Sequence, residues 1–196
     1  ASVLAEMTVE GDVLLRSNSN VEDITLGGNL QAQNGVSYGM VEYRDVHVAD
    51  IPVSYFVTGA ADITVYSGAT ANNVSGAYKD FHAYANSSVR FEPGEYFFEN
   101  FIVEPDANIY FEGPVRLWVQ NAMSVADRVN LSNQAVGAEN VFIYTNTSNS
   151  MYFGVNSDFA AVLVAPYASV NVAPHSRWQG LIWSKNIYVQ ADAVIE

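Results

Sequence analysis

Hydrophobic positions in this chain recur as short triplets in which an apolar residue, any residue and a second apolar residue follow one another. The clearest are Phe101-Ile-Val103, Met123-Ser-Val125, Phe153-Gly-Val155, Val170-Asn-Val172 and Ile187-Tyr-Val189. Each has a period of two, so its outer members share one side of a strand. Successive triplets start 22, 30, 17 and 17 residues apart. Recurrence at about one coil length, with loops interposed at the wide gaps, is the mark of a solenoid. The pattern predicts an all-β fold, a parallel β-helix whose coils stack Val on Val and Phe or Ile on Met.

A second series runs between the first: Val115-Arg-Leu117, Val141-Phe-Ile143, Val162-Leu-Val164 and Leu181-Ile-Trp183. Its central residues are Arg116, Phe142, Leu163 and Ile182, three of them large and apolar. A strand column apolar on both faces is normally covered on both. The stripe Phe142/Leu163/Ile182 is therefore expected to lie under the N-terminal half of the chain or against another subunit, because left bare it is an association site. The last coil, Ile187 to Ile195, has little to cap it. With Ile187 and Val189 it is expected to form a second assembly surface, since open β edges pair readily.

The N-terminal 90 residues are less regular. Val13-Leu-Leu15 leads into a polar run, Ile24-Thr-Leu26 into the tight turn Gly27-Gly28-Asn29, and Val36 to Val48 is half-buried. Pro52 and the stretch from Gly68 to Gly76 break any long strand. Ser75 to Asn86 places Ala77, Tyr78, Phe81 and Ala85 at helical offsets, which predicts a short helical insertion flanking or capping the solenoid. The expectation is one solenoid domain over residues 1–196, with 1–90 as irregular coils or a covering layer and 91–196 as regular coils.

Composition narrows the partners. The 196 residues carry a net charge of −13 with eight basic residues, a balance that repels phosphate and anionic lipid, so neither nucleic acid nor an acidic membrane is expected as a partner. There is no cysteine, which removes disulfides and zinc-thiolate sites. No apolar run is long enough to span a bilayer. Charged residues make up only 15 %, so Asn, Ser, Thr, Tyr and Gln must cover much of the surface, as in extracellular β proteins. Ala1-Ser2-Val3 reads as a mature terminus after cleavage or as a cloning boundary.

The order Phe91-Glu-Pro-Gly-Glu-Tyr96, Asn108-Ile-Tyr-Phe-Glu-Gly-Pro-Val-Arg-Leu-Trp-Val119, Val162-Leu-Val-Ala-Pro166 and Trp178-Gln-Gly-Leu-Ile182 resembles a β-helical module of bacterial surface proteins. That module occurs in adhesin-like chains and in proteins encoded with mannose-sensitive haemagglutinin pili. The resemblance covers residues 91–196 and rests on turns and strand cores. It implies a right-handed β-helix, an extracellular or cell-surface setting, and no catalytic residues.

Candidate chemistry is sparse. No Gly-x-Ser-x-Gly elbow accompanies His47, His82 or His175. Eight basic residues make a lyase site hard to build, and none of the many carboxylate pairs is marked out for glycoside hydrolysis. Asp158, His175 and Asp192 each follow a triplet valine by three residues, so they are expected to stack as a column that could hold a metal or respond to pH; a solvated turn column is the plainer reading. Calcium has oxygen ligands at Glu104-Pro-Asp106 and Glu42-Tyr-Arg-Asp45 but no recognisable loop, so no cofactor is expected and calcium stays open. Trp118, Tyr144 and Tyr188, with Tyr110 and Tyr152, would stack on sugar rings if they formed one outward row. Ice binding by a solenoid is taken to need rows of Thr-x-Thr; Thr145-Asn-Thr147 is the sole such pair, which argues against it. The resulting expectation is a non-enzymatic surface fibre or stalk subunit that associates with itself or with neighbouring surface proteins. A polysaccharide-binding module stands second and a glycan-degrading enzyme third.

Overall fold

The computed structural model describes residues 6–47, 57–131 and 137–196. The chain winds into a parallel β-solenoid of three-strand coils. The first and second faces belong to one large sheet. Its long strands, such as Gly94–Val103 and Val162–Val172, pass from one face to the other. The register shifts where they do so, between Phe98 and Asn100 and between Ala165 and Ser169. The third face is a separate sheet of short strands, among them Ser88–Phe91, Asn108–Phe111 and Arg177–Gln179.

Among the described residues, the coils turn from the second to the third face at a residue in the left-handed region. These corner residues are Asn18, Gly35, Gly68, Asn86, Asp106, Arg128, Asn156, His175 and Asp192, with φ between 54° and 78°. Gly, Asn and Asp adopt this conformation most cheaply. Within the rod a small or compact residue follows each corner and is buried: Ser19, Ser87, Ala107, Val129, Ser157, Ser176 and Ala193. Two positions further on comes an inward apolar side chain: Val21, Val89, Ile109, Leu131, Phe159, Trp178 and Ile195.

The coils are not stacked in simple chain order. They rise from the strand Ile63–Val65 to the last coil at 182–195, and the N-terminal coils then continue the same rod. Val13 and Leu15 pair over Ile187 and Val189, and Asn20 and Val21 over Val194 and Ile195. Described residues 6–46 and 63–91 are thus coils of the rod at its two ends. The last coil, expected to be open, is closed by the chain's own first coil, and Ile187 and Val189 are fully buried. They are core residues, not an assembly surface.

The core is one continuous cluster along the axis. Toward the Ile63 end it is aromatic: Phe81 lies 4.5 Å from Phe101 and 5.3 Å from Phe91 between ring centroids. Such pairs add about 0.5–1.5 kcal/mol each beyond the area they bury. This packing overrides the helix expected at Ser75–Asn86. The segment forms the strands Gly76–Ala77 and Asp80–Ala83, with Phe81 in register with Phe101 and Ala83 with Val103. Among the described residues the helical content is a single 3-10 turn, Ala138–Asn140. The break expected at Pro52 and the reading of Ala1-Ser2-Val3 lie outside the described residues.

The triplet series holds with one slip. Val103 pairs with Val125, Val125 with Phe153, Phe153 with Val172, and Val172 with Val189. The stacked triplet is therefore Met151-Tyr-Phe153 rather than Phe153-Gly-Val155. Gly154 sits at the turn because a Cβ there would meet the Ala126 carbonyl oxygen at 2.1 Å.

Candidate functional site

The outward residues of the three faces differ in chemistry. On the first face, Leu163 and Ile182 stack in the inward column with Leu117 and Ile143, and both are fully buried. Phe142 faces outward, paired with Arg116 and Val162. The stripe expected from Phe142, Leu163 and Ile182 thus mixes both sides of one sheet. The strand over Val162–Val164 is apolar at three successive positions, so the sequence cannot fix its phase, and a one-residue slip inverts it. The true outward column runs Phe97, Trp118, Tyr144, Val164, Trp183, Thr8, Thr25 and Glu42. Trp118 and Tyr144 stack at 4.3 Å with a 16° interplanar angle. Val46 and His47 lie beside Thr8 and Trp183 of this column, and beyond its Phe97 end Gly59 donates its N–H to the Tyr78 carbonyl. The first-face aromatics are half-buried.

The five aromatics considered for sugar stacking do not form one row. Trp118 and Tyr144 are on the first face, Tyr152 and Tyr188 on the second, and Tyr110 on the third. The proposed metal column divides as well. His175 and Asp192 are consecutive corner residues whose side chains come within 3.9 Å. The corner beneath them is Asn156, while Asp158 is a third-face residue paired with Asn130 and Arg177. The spacing argument failed because the coil between corners 156 and 175 has 19 residues and not 17. Among the described residues no group of three or more His, Cys, Asp or Glu could hold a metal ion.

The third face is charged. Arg177 bonds Glu196, Arg90 lies 3.8 Å from Glu112, and the neighbouring corner holds a bidentate Arg128–Asp106 pair at 2.7 and 2.8 Å. Asp106 is held below the usual carboxylate range by its hydrogen bond from Arg128.

The second face is different. Its central outward column, read coil by coil, is Thr64, His82, Ile102, Ser124, Tyr152, Asn171, Tyr188, Leu14 and Gln31. It contains no Asp, Glu, Lys or Arg, in a chain whose net charge is −13. Neighbouring columns hold Asn100, Ala122, Ser169 and Asn186 on one side and Ala126, Gly154, Ala173 and Gln190 on the other. Charge returns at the margins: Asp80 and the Glu104–His82 pair toward one end, at 2.9 Å, Asp12 and Arg16 toward the other, and Asp127 beside Tyr152. Parallel strands set these side chains on a grid of roughly 4.8 Å across coils and about 6.6 Å along each strand.

Several polar members of the grid are braced. Asn186 Nδ2 donates to Ser169 Oγ at 3.1 Å, and Gln190 Nε2 donates to Asn171 Oδ1 at 3.1 Å. The Tyr152 hydroxyl lies 3.4 Å from Asp127 Oδ1, and burial raises the pKa of its phenol above the usual tyrosine value. Thr145 and Thr147, the one Thr-x-Thr pair, are buried. Their hydroxyls accept the backbone N–H groups of Thr147 and Asn149.

Among solved structures the chain is similar in fold to ice-binding proteins. An ice-binding protein with antifreeze activity from an Arctic yeast superposes with a TM-score of 0.55 at 17 % identity, over 100 % of this chain and 94 % of that one. A domain of an ice-binding protein from Shewanella frigidimarina superposes with a TM-score of 0.50 at 12 % identity, over 98 % of this chain and 92 % of that one. No family model matches the chain, and no curated sequence does.

These matches span the whole rod and correct the resemblance drawn from residues 91–196. The Pro-Gly turn and the Val-x-Leu strand cores that carried it are features of coil geometry. The expectation of a fibre or stalk subunit falls with it, as do the sugar-binding and glycan-degrading alternatives. The solved folds that match are ice-binding proteins. Four of the five residues meant for assembly, Leu163, Ile182, Ile187 and Val189, are core.

Proposed function

We propose that the chain binds ice, through its second face. The observation that carries this reading is the uncharged central column from Ile102 to Leu14, set in a parallel sheet. Ice presents neutral water donors and acceptors in a fixed two-dimensional array. A carboxylate or ammonium holds its own hydration shell and breaks such an array, whereas hydroxyl, amide and aliphatic groups on a grid allow bound water to take up lattice positions through bridging hydrogen bonds. Braced side chains lose little rotamer entropy when that water orders. The Thr-x-Thr criterion was too narrow, because the regularity here comes from coil stacking and not from one residue type.

The fold shared with ice-binding proteins supports the same reading, as does a first face with half-buried aromatics and a third face bearing ion pairs. The chain then acts without catalysis and works outside the cell, where ice forms. Among the described residues no helix is long and apolar enough to cross a membrane.

The test is thermal hysteresis and recrystallisation inhibition by the purified protein, with Ser124→Arg and Asn108→Arg compared at equal concentration. Ser124 is exposed at the middle of the second face, and Asn108 lies on the third. Ser124→Arg is expected to abolish hysteresis without lowering the melting temperature, and Asn108→Arg to leave it intact. Absence of hysteresis in the unaltered protein, or full activity in Ser124→Arg, overturns the proposal.

A further inference from the structure

We infer that Asp80 is a positioning residue for the second face, holding the Asn100 side chain so that its carbonyl oxygen Oδ1 is the end presented to solvent. The inference rests on the ice-binding reading above. Asn100 lies two residues before Ile102, on the same side of the strand, so it flanks the central column. Asp80 is its register partner in the adjoining coil. Asn100 Nδ2 donates to Asp80 Oδ1 at 2.6 Å.

An asparagine amide has a donor end and an acceptor end of nearly equal shape, and its partner decides which is bound. An ionised carboxylate accepts and cannot donate, so the bond to Asp80 admits one orientation only. On the other side of Asn100 the register partner is Ala122, whose side chain has no polar atom. Asn100 is half-buried, and its Oδ1 is the polar end left for water.

The column through Asn100 keeps one sense wherever a partner fixes it. The Asp80 N–H donates to Asp62 Oδ1 at 3.3 Å, the Asp12 N–H to Asn186 Oδ1 at 3.0 Å, and the Asn29 N–H to Asp12 Oδ1 at 2.8 Å. With its oxygen held by a backbone N–H, Asn186 turns Nδ2 to Ser169 Oγ, at 3.1 Å. In each of these bonds, as in Asn100 to Asp80, the acceptor belongs to the coil nearer the Ile63 end of the rod. Ala122 interrupts the ladder, and Asn100 Oδ1 stands at the interruption, beside the exposed Ile102 and Ser124. Water there meets an acceptor fixed in place and in sense.

Asp80→Asn separates this role from the exclusion of charge. It removes a carboxylate from the margin of the face, which on charge alone should leave hysteresis unchanged or raise it. It also sets two amides against each other, and turning both preserves their bond, so Asn100 no longer has one presented end. Thermal hysteresis is expected to fall several-fold in Asp80→Asn and in Asn100→Ala. Added to Asn100→Ala, Asp80→Asn should cause no further loss. Far-UV dichroism near the freezing point checks that each variant is folded when hysteresis is read. Side-chain amide NMR reads the orientation without ice. In the parent protein one Asn100 Nδ2 proton is expected to be shifted downfield and protected from exchange by the Asp80 bond, while the other exchanges freely. Both features should weaken in Asp80→Asn and vanish in Asp80→Ala.

Two Asn100 amide protons that exchange alike in the parent protein overturn the inference. So does hysteresis in Asp80→Asn that equals or exceeds the parent's, because charge would then be all that Asp80 contributes. Lack of hysteresis in the parent protein would instead remove the ice-binding reading, and the NMR result would still decide whether Asp80 sets the amide.

Discussion

Asn186 Oδ1 accepts the backbone N–H of Asp12 at 3.0 Å, across 174 positions of sequence. This bond lies at the one place where consecutive coils of the rod are not joined by the chain between them, the last coil meeting the first. The same side chain reaches back to Ser169, so it ties three coils together. Strand pairing crosses the junction on both faces, Met7 over Ile182 on the first and Val13 over Ile187 on the second. Asn186→Ala removes the acceptor of the exposed Asp12 N–H, which water then takes over, and a loss of about 0.5–1.5 kcal/mol is expected. Urea unfolding followed by both far-UV dichroism and Trp fluorescence checks it. An unchanged midpoint would mean that the junction is held by strand pairing alone.

His175 pays a backbone penalty that its neighbours along the corner column avoid. Its φ of 58° is left-handed, where Asn18, Asn86 and Asn156 also lie. For an ordinary L-residue this conformation costs roughly 1–2 kcal/mol, and asparagine is among the residues that tolerate it. The compensating contact is an exposed pair with Asp192 at 3.9 Å, a kind that contributes little. His175→Asn should therefore stabilise the protein by roughly 0.5–1 kcal/mol. Differential scanning calorimetry would show a rise in melting temperature. A fall would assign the imidazole a structural role that the corner geometry does not require.

The solenoid was legible because its signal is redundant. Period-two triplets such as Val170–Val172 and Ile187–Val189 repeat across coils, and stacking needs only that the repeats exist. Phase was not legible where both alternating positions are apolar, as at Val162-Leu163-Val164, and there the inward column was assigned to the wrong side. Coil length was misread where a loop intervenes, which moved Val155 into Phe153's place and Asp158 into Asn156's. A better marker was present throughout: a corner residue, a small buried residue, any residue, then an apolar one, as in Asn86-Ser-Ser-Val89, Asp106-Ala-Asn-Ile109 and Asp192-Ala-Val-Ile195. It names the turn, where steric demand is sharp, rather than the strand, where many residues fit. The second face was not legible from any local pattern, because its central column is assembled from residues 14 to 188 and shares an absence of charge rather than a motif. The break in coil order at the junction also leaves no local trace.

Gly154 shows how closely successive coils approach at this corner. A Cβ there would stand 2.1 Å from the Ala126 carbonyl oxygen and 2.2 Å from its carbon, so backbone would have to move. Its N–H also donates to Val125 at 3.1 Å, and its carbonyl accepts from the buried Ser176 hydroxyl. Gly154→Ala is expected to destabilise by on the order of 1–3 kcal/mol, the usual range for overpacking. Because Gly154 borders the second face, the substitution should also reduce the proposed ice activity in proportion to the local displacement. Chemical denaturation and hysteresis measured on the same preparation would test both. Unchanged stability would show that the two corners can separate freely.

Tyr96 makes stability fall at alkaline pH. Its ring is fully buried beside Phe91, at 4.9 Å, and its hydroxyl donates to the carbonyls of Asn73 and Glu92 at 2.8 and 2.9 Å. Burial, then the nearby Glu92 charge, raises its pKa well above the ordinary tyrosine value. The sign follows from the neutral form being favoured in the fold. Below the unfolded-state pKa, about 10, both states hold the proton and the contribution is fully present. As pH rises past that value the unfolded chain ionises first, and the contribution is lost progressively until the folded-state pKa is reached. Tyr96→Phe removes the titration but also takes a donor from the Asn73 and Glu92 carbonyls. At neutral pH it should cost about 1–2 kcal/mol, while the decline in stability between neutral and strongly alkaline pH should become shallower. Unfolding midpoints of the two proteins across that range measure the difference. Parallel curves would place the alkaline loss in the other tyrosines.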